Sequence, residues 1–182
     1  MASNEVRIIG GKWRGRKIAF PDRRNLRPTL GRVRETLFNW LRADILDSRC
    51  LDLFAGSGAL GFEAASRGAA AVALVESDRR VVRSLEDNAA RLGADNVTVL
   101  CDRAERLLRR GGATWDIIFV DPPFQQGVLT AVLDAIAAAE VLAPGGLIYL
   151  EAARREPWPT AGWVEVRHSR AGETQFGLLA RP

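Results

Sequence analysis

The segment Leu51-Asp52-Leu53-Phe54-Ala55-Gly56-Ser57-Gly58-Ala59-Leu60-Gly61 constrains the fold of this chain more than any other feature. An apolar run leads directly into G-x-G-x-x-G, and the last glycine opens a stretch with helical patterning, so the glycines occupy a strand-turn-helix junction. Gly56 and Gly58 permit a tight turn and close approach of backbone to a ligand. Gly61 lets the helix pack near the strand it follows. This is the position and composition of a loop that holds a nucleotide-bearing cofactor.

The surrounding sequence repeats the same unit. Apolar runs at residues 50–54, 71–76, 97–100, 115–120 and 147–151 alternate with helical stretches at 60–67, 79–92, 104–110 and 129–141. Each run is bounded by Gly, Asp, Asn or Pro, so the pattern predicts an α/β fold with a parallel sheet and right-handed crossovers. The end of the chain departs from it: strands at 163–168 and 174–180 flank the turn Arg170-Ala171-Gly172-Glu173, a hairpin that places an antiparallel strand at the sheet edge. Before residue 49 the sequence predicts a small hairpin, with strands at 6–9 and 16–20 around Gly10-Gly11. A helix follows, capped by Thr29, with Val33, Leu37, Trp40 and Leu41 in one apolar stripe. This divides the chain into a basic hairpin arm, residues 1–28, and a main domain, residues 29–182, that includes the docking helix.

Charge is distributed unevenly. Residues 1–34 carry ten basic and two acidic side chains, a net of +8, which leaves −4 for the remainder of a chain whose total is +4. A basic arm on a mildly acidic body suits a phosphate-tracking segment. Lys12, Trp13, Arg14, Arg16, Lys17, Arg27, Arg32 and Arg34 are the candidate nucleic-acid-binding residues, and Trp13 can equally pack inward. Cys50 and Cys101 form no C-x-x-C or Cys/His cluster, so neither a disulfide framework nor a metal site is expected. Without a long apolar segment the chain is expected to be cytoplasmic and away from membranes. The lone His168 falls in a strand far from every motif.

Acidic residues recur where successive strands end. Asp52 lies inside the first run, Glu76 ends the second, Asp102 follows the third, and Asp121-Pro122-Pro123-Phe124 follows the fourth. Glu76 at a strand end fits the ribose of nicotinamide and other adenosine cofactors alike. A dehydrogenase, however, has no use for the tetrapeptide. An exocyclic base amine is a poor nucleophile because its lone pair is delocalised into the ring. Acceptors at Asp121 and the Pro122 carbonyl would draw its two hydrogens and free that lone pair. The prolines stiffen the turn, and Phe124 offers a face for an unstacked base.

The D-x-F-x-G-x-G of Asp52, Phe54, Gly56 and Gly58 resembles the first motif of class I methyltransferases, and Asp121 to Phe124 resembles the D/N-P-P-Y/F motif of those acting on planar amines. Arg7-Ile8-Ile9-Gly10-Gly11, Arg27-Pro28-Thr29 and the run from Arg32 to Leu41 extend the likeness over nearly the whole chain. Together they resemble the bacterial 16S rRNA (guanine-N2)-methyltransferase family. The resemblance implies a Rossmann-like class I fold with a seven-stranded, mainly parallel sheet, and methylation of one guanine of 16S rRNA within the 30S subunit by a monomer. It implies S-adenosyl-L-methionine as cofactor and S-adenosyl-L-homocysteine as by-product. The cofactor would lie against Asp52, Phe54, Ala55, Gly56, Ser57, Gly58, Glu76, Asp102, Arg103 and Ala104, while Asp121, Pro122, Pro123 and Phe124 handle the guanine. Three other readings stay open on the residues alone: an adenine-N6 methyltransferase, an NAD-dependent dehydrogenase, and a non-catalytic RNA-binding module.

Overall fold

The computed structural model describes residues 3–22, 28–122, 127–159 and 161–182. A two-stranded hairpin, β1 (Ser3–Arg7) and β2 (Lys17–Pro21), precedes α1 (Gly31–Trp40). The repeat then runs β3 (Arg49–Asp52), α2 (Ala59–Ser66), β4 (Ala71–Glu76), α3 (Arg79–Leu92), β5 (Val97–Cys101), α4 (Ala104–Arg110), β6 (Trp115–Val120), α5 (Val128–Ala139) and β7 (Leu142–Ala153), before β8 (Val164–Ala171) and β9 (Thr174–Ala180). The main sheet has seven strands in the order β5-β4-β3-β6-β7-β9-β8. Its first five are parallel, whereas β9 runs antiparallel between β7 and β8. The parallel sheet with an antiparallel terminal hairpin is therefore the architecture the sequence predicts.

Alternation along the strands builds two cores. Leu51, Val75, Ile118, Val120, Ile148 and Leu150 face α4 and α5, while Cys50, Leu74, Ile117, Phe119 and Tyr149 face the hairpin and α1 to α3. Period-two patterning thus continues on both faces of a sheet covered by helices on both sides. The chain leaves β3 toward β4 on one side and meets β6 on the other, so the crevice beyond the C-terminal ends of β3 and β6 is the topological switch point where α/β folds bind ligands.

Helix ends follow local chemistry where the sequence supplies it. In α3 the Asp78 side chain accepts from the Arg80 N–H at 2.8 Å, Gly93 closes the helix in the left-handed conformation, and Val81, Val82, Leu85, Asn88 and Leu92 face inward. The expected cap of α1 is different. Leu30 occupies the N-cap with no side-chain hydrogen bond, because the Thr29 hydroxyl points instead to Asp121 Oδ2 at 3.3 Å.

The hairpin is bound to the body along its length. Val6, Ile8, Trp13, Ile18 and Phe20 belong to the same apolar cluster as α1, α2 and α3. Buried Glu63 of α2 accepts from the backbone N–H groups of Ile9 and Gly10, both at 2.8 Å, and from Arg67 at 2.8 Å. Ser66 Oγ accepts from the Trp13 N–H at 2.9 Å and donates to the Gly10 carbonyl at 2.6 Å. A Cβ on Gly11, whose φ is +75°, would sit 1.9 Å from the Ser66 carbonyl oxygen, so the turn approaches the helix end as only glycine allows. Asn88 of α3 holds the second strand through the N–H and the carbonyl of Ala19.

Candidate active site

The glycine loop forms as its sequence requires. Gly56 has φ +50° and Gly58 φ +78°, and Gly58 is the N-cap of α2. A side chain at Gly58 would collide with Leu85 and Phe62 at 2.7 Å. At Gly61 it would lie 2.1 Å from Leu74 Cδ2, so the third glycine serves helix-strand packing. The loop is tied to its neighbours by the Ala55 N–H, which donates to the Val75 carbonyl at 2.9 Å, and by the Gly56 N–H, which donates to Glu76 Oε2 at 3.2 Å. Asp78 caps α3, but Glu76 is not idle. Its Oε1 accepts from the Asp78 N–H at 2.8 Å, so one carboxylate braces two turns while staying half-buried at the end of β4.

Asp52 is fully buried at the root of the loop and faces the N–H groups of Phe54 and Gly61, although neither oxygen makes a close hydrogen bond. Burial pushes its carboxyl up to about 7, the charge of Glu76 adds to the rise, and the two N–H groups oppose it. Ser57 and Ala55 are buried within the loop, Phe54 is half-buried, and Ala104 is buried at the start of α4 beside exposed Arg103. Asp102 accepts from the Arg103 N–H at 2.9 Å and pairs with Arg110 and Arg106. It does not cap α4, whose N-cap is Arg103. The loop, Glu76 and Asp102 therefore line one rim beyond β3, β4 and β5. The close glycine backbone, the half-buried acceptor at Glu76 and the buried, poorly partnered carboxylate of Asp52 fit a nucleoside cofactor bearing a positive charge.

Asp121 and buried Pro122 leave the end of β6 beside this rim; Pro123 and Phe124 lie outside the described residues. Because Phe119 pairs with Asp52 on one side and Tyr149 on the other, and Val120 pairs with Leu150, the next residues in line are Asp121 and Glu151. Glu151 is buried, accepts from the Tyr149 hydroxyl at 2.9 Å, and faces Thr29. Burial raises the Asp121 carboxyl well above the ordinary carboxylate range, the charges of Glu151 and then Asp52 raise it further, and the Thr29 hydroxyl opposes them. Glu151 is raised too, first by burial, against the hydroxyls of Tyr149 and Thr29. Sequence reasoning missed Glu151, Tyr149 and Thr29. The register between β6 and β7 joins them to Asp121, and no local motif carries that register.

The candidate RNA contacts divide. Lys12, Arg14, Arg16, Lys17 and Arg32 are exposed, and Arg27 lies outside the described residues. Arg34 and Trp13 are corrections. Arg34 is buried, donating to the Thr29 carbonyl at 3.2 Å and the Arg7 carbonyl at 3.0 Å and pairing with Glu63 at 3.5 Å, so it braces the hairpin against α1. Trp13 is 4% exposed and packs in the core, so no face is open for a base. His168 stacks on Trp158 with ring centroids 4.5 Å apart, at the sheet edge and apart from the site. Among the described residues no group of three or more His, Cys, Asp or Glu is placed to hold a metal, and no helix is long and apolar enough to cross a membrane.

This sheet order, with a glycine loop after the central strand and an acidic turn after its neighbour, defines the Rossmann-like methyltransferase fold. Solved structures agree: the E. coli protein yhhF superposes with a TM-score of 0.90 at 47% identity, covering 98% of each chain. A T. thermophilus 16S rRNA N2 methyltransferase in complex with AdoMet and guanosine superposes at 0.72 with 25% identity, covering 99% of this chain and 50% of the other. The family model "Conserved hypothetical protein 95" matches residues 6–180. Ribosomal RNA small subunit methyltransferase D of E. coli is 47% identical over 98% of this chain and 91% of the relative, and its Haemophilus influenzae counterpart is 38% identical over 97% and 94%. The chain belongs to this family of ribosomal RNA small subunit methyltransferase D proteins.

Proposed function

We propose that the protein methylates the exocyclic N2 amine of one guanine in 16S rRNA, acting as a cytoplasmic monomer on the assembled 30S subunit. The observation that carries this reading is the juxtaposition of Asp121, at the end of β6, with the glycine loop after β3 across the switch point of the sheet. The names of the relatives supply rRNA as the acceptor class, and the solved N2 methyltransferase supports guanine.

The chemistry of the pocket also favours guanine over adenine. Guanine N2 carries two N–H donors and stands between the N1–H donor and the N3 acceptor, so two adjoining positions donate; adenine N6 is flanked on both sides by ring acceptors, N1 and N7. Asp121, Glu151 and the Pro122 carbonyl offer acceptors, which can pair with the adjoining N1 and N2 donors of guanine, whereas beside adenine N6 they would meet a ring lone pair.

In this reading Gly56, Ser57 and Gly58 approach the methionine part of S-adenosyl-L-methionine. Glu76 receives the ribose hydroxyls, Asp102 and Arg103 meet the adenine, and Phe54, Ala55 and Ala104 close the apolar walls. The bound cofactor supplies a methyl group on a sulfonium centre and leaves as S-adenosyl-L-homocysteine. Asp121 and the Pro122 carbonyl each accept one amine hydrogen, which holds the lone pair toward the methyl. Pro123 fixes the turn and Phe124 stacks on the base. Lys12, Arg14, Arg16, Lys17 and Arg32, joined by Arg27, hold rRNA phosphates, and no metal takes part.

The test is transfer of labelled methyl to unmodified 30S subunits, naked 16S rRNA and DNA, with nucleoside analysis of the product. N2-methylguanosine from the 30S sample, lost in Asp121→Ala with cofactor binding retained, is the expected result. N6-methyladenine, or transfer unaffected by Asp121→Ala, refutes it.

A further inference from the structure

We propose that Glu151 and Thr29 are positioning residues for the transfer step, which together hold Asp121 as the acceptor of the proton that leaves the amine. The proposal rests on the reading of Asp121 given above. Methyl transfer forms an N–C bond as the S–C bond of the donor breaks. The positive charge of the sulfonium passes to the amine nitrogen, and one N–H proton must leave to restore a neutral amine. An acceptor that contacts the amine and holds a proton well near neutral pH serves both needs.

Three features equip Asp121 for this. The Thr29 hydroxyl donates to Oδ2, which fixes the carboxylate and leaves the other oxygen for the amine. Glu151 is buried next in register on β7 and is itself held by the Tyr149 hydroxyl, so its charge faces Asp121 with little solvent to screen it. No Lys or Arg among the described residues is ion-paired with Asp121 or Glu151. Among the described residues the groups facing Asp121 are Glu151 and Tyr149 from β7, Asp52 from β3 and Thr29 from the segment before α1. Among the described residues no cation offsets these three carboxyls, so burial and mutual repulsion favour keeping a proton there, and the half-buried member at the crevice is Asp121. Glu151 and Thr29 act on it in opposite directions: the first makes it a better proton acceptor, and the second stabilises its ionised form.

The experiment is the pH dependence of kcat for methyl transfer to 30S subunits, in the wild type and in Glu151→Gln, Thr29→Val and Thr29→Ser, with melting temperature and cofactor binding measured in parallel. In the wild type the acid limb stands above the ordinary carboxylate range. Glu151→Gln moves it to lower pH by about one unit, the size that one neighbouring charge produces, while the plateau kcat falls. Thr29→Val moves it to higher pH, and Thr29→Ser restores it. Glu151→Gln and Thr29→Val variants that melt like the wild type and keep its acid limb overturn the inference, as do shifts of the same sign in both. If Asp121→Ala itself transfers methyl normally, the underlying reading fails instead, so the two failures are told apart.

Discussion

Replacing Asp52 by Asn is expected to stabilise the cofactor-free protein at alkaline pH and to leave it nearly unchanged in acid. Asp52 is fully buried, and its carboxyl is raised from 3.8 to about 7. The folded protein therefore holds a proton that the unfolded chain has already lost between these values. The stability contributed by the neutral side chain is complete below 3.8 and is lost as pH rises through about 7. The rise is about three units, and at about 1.4 kcal/mol per unit it sets an upper bound of about 4 kcal/mol on the alkaline penalty. Asn is close in shape to the protonated acid and does not titrate. Urea unfolding should place the two proteins together near about pH 4 and separate them progressively to about pH 9. With a slope of about 2 kcal/mol per molar, the midpoints part by up to about 2 M. A stability difference that stays flat across that range would show that Asp52 is ionised in the folded state, and the electrostatic account of the loop root would fail.

Two further outcomes follow from the hairpin. Glu63→Ala strands the N–H groups of Ile9 and Gly10 and leaves buried Arg34 without its carboxylate, which should cost about 3–5 kcal/mol in urea unfolding and expose the hairpin to limited proteolysis. Arg14→Glu with Arg16→Glu alters two exposed side chains and should leave the melting temperature within a few degrees. It should weaken binding to 16S rRNA and reduce the slope of log affinity against log salt by about two; an unchanged slope removes the hairpin from the RNA interface.

The parallel sheet and its order of elements were legible because each apolar run is short, bounded by turn residues and followed by a helix long enough to cross over. The glycine loop and the acidic turn were legible because both lie at strand ends, where local sequence dictates local backbone. What escaped depends on partners distant in sequence. Thr29 has the composition of a cap, but its hydroxyl is drawn 92 residues along the chain to Asp121. Glu151 ends an apolar run like any polar boundary residue, and only the register of β7 on β6 places it beside the turn. Arg34 and Trp13 lie in a basic stretch that reads as surface, while Glu63 and Ser66 belong to no motif that would set them apart. In the structure these residues meet one another, and the charge pattern along the chain does not record that meeting.

The helix that joins these features has a consequence for how the family can vary. At one end of α2, Gly58 shapes the glycine loop; at the other, Glu63 and Ser66 grip the hairpin turn. Eight residues at about 1.5 Å each span about 12 Å, so α2 works as a fixed spacer between loop and hairpin. One residue added or removed within it turns everything beyond by about 100° and swings the Glu63 carboxylate off the hairpin backbone. Homologues should therefore tolerate length changes in the turn between β8 and β9 or in the connection after β7, yet show none between Gly56 and Arg67. In this molecule, spacing along that one helix is as strict a requirement as the identity of the glycines that begin it.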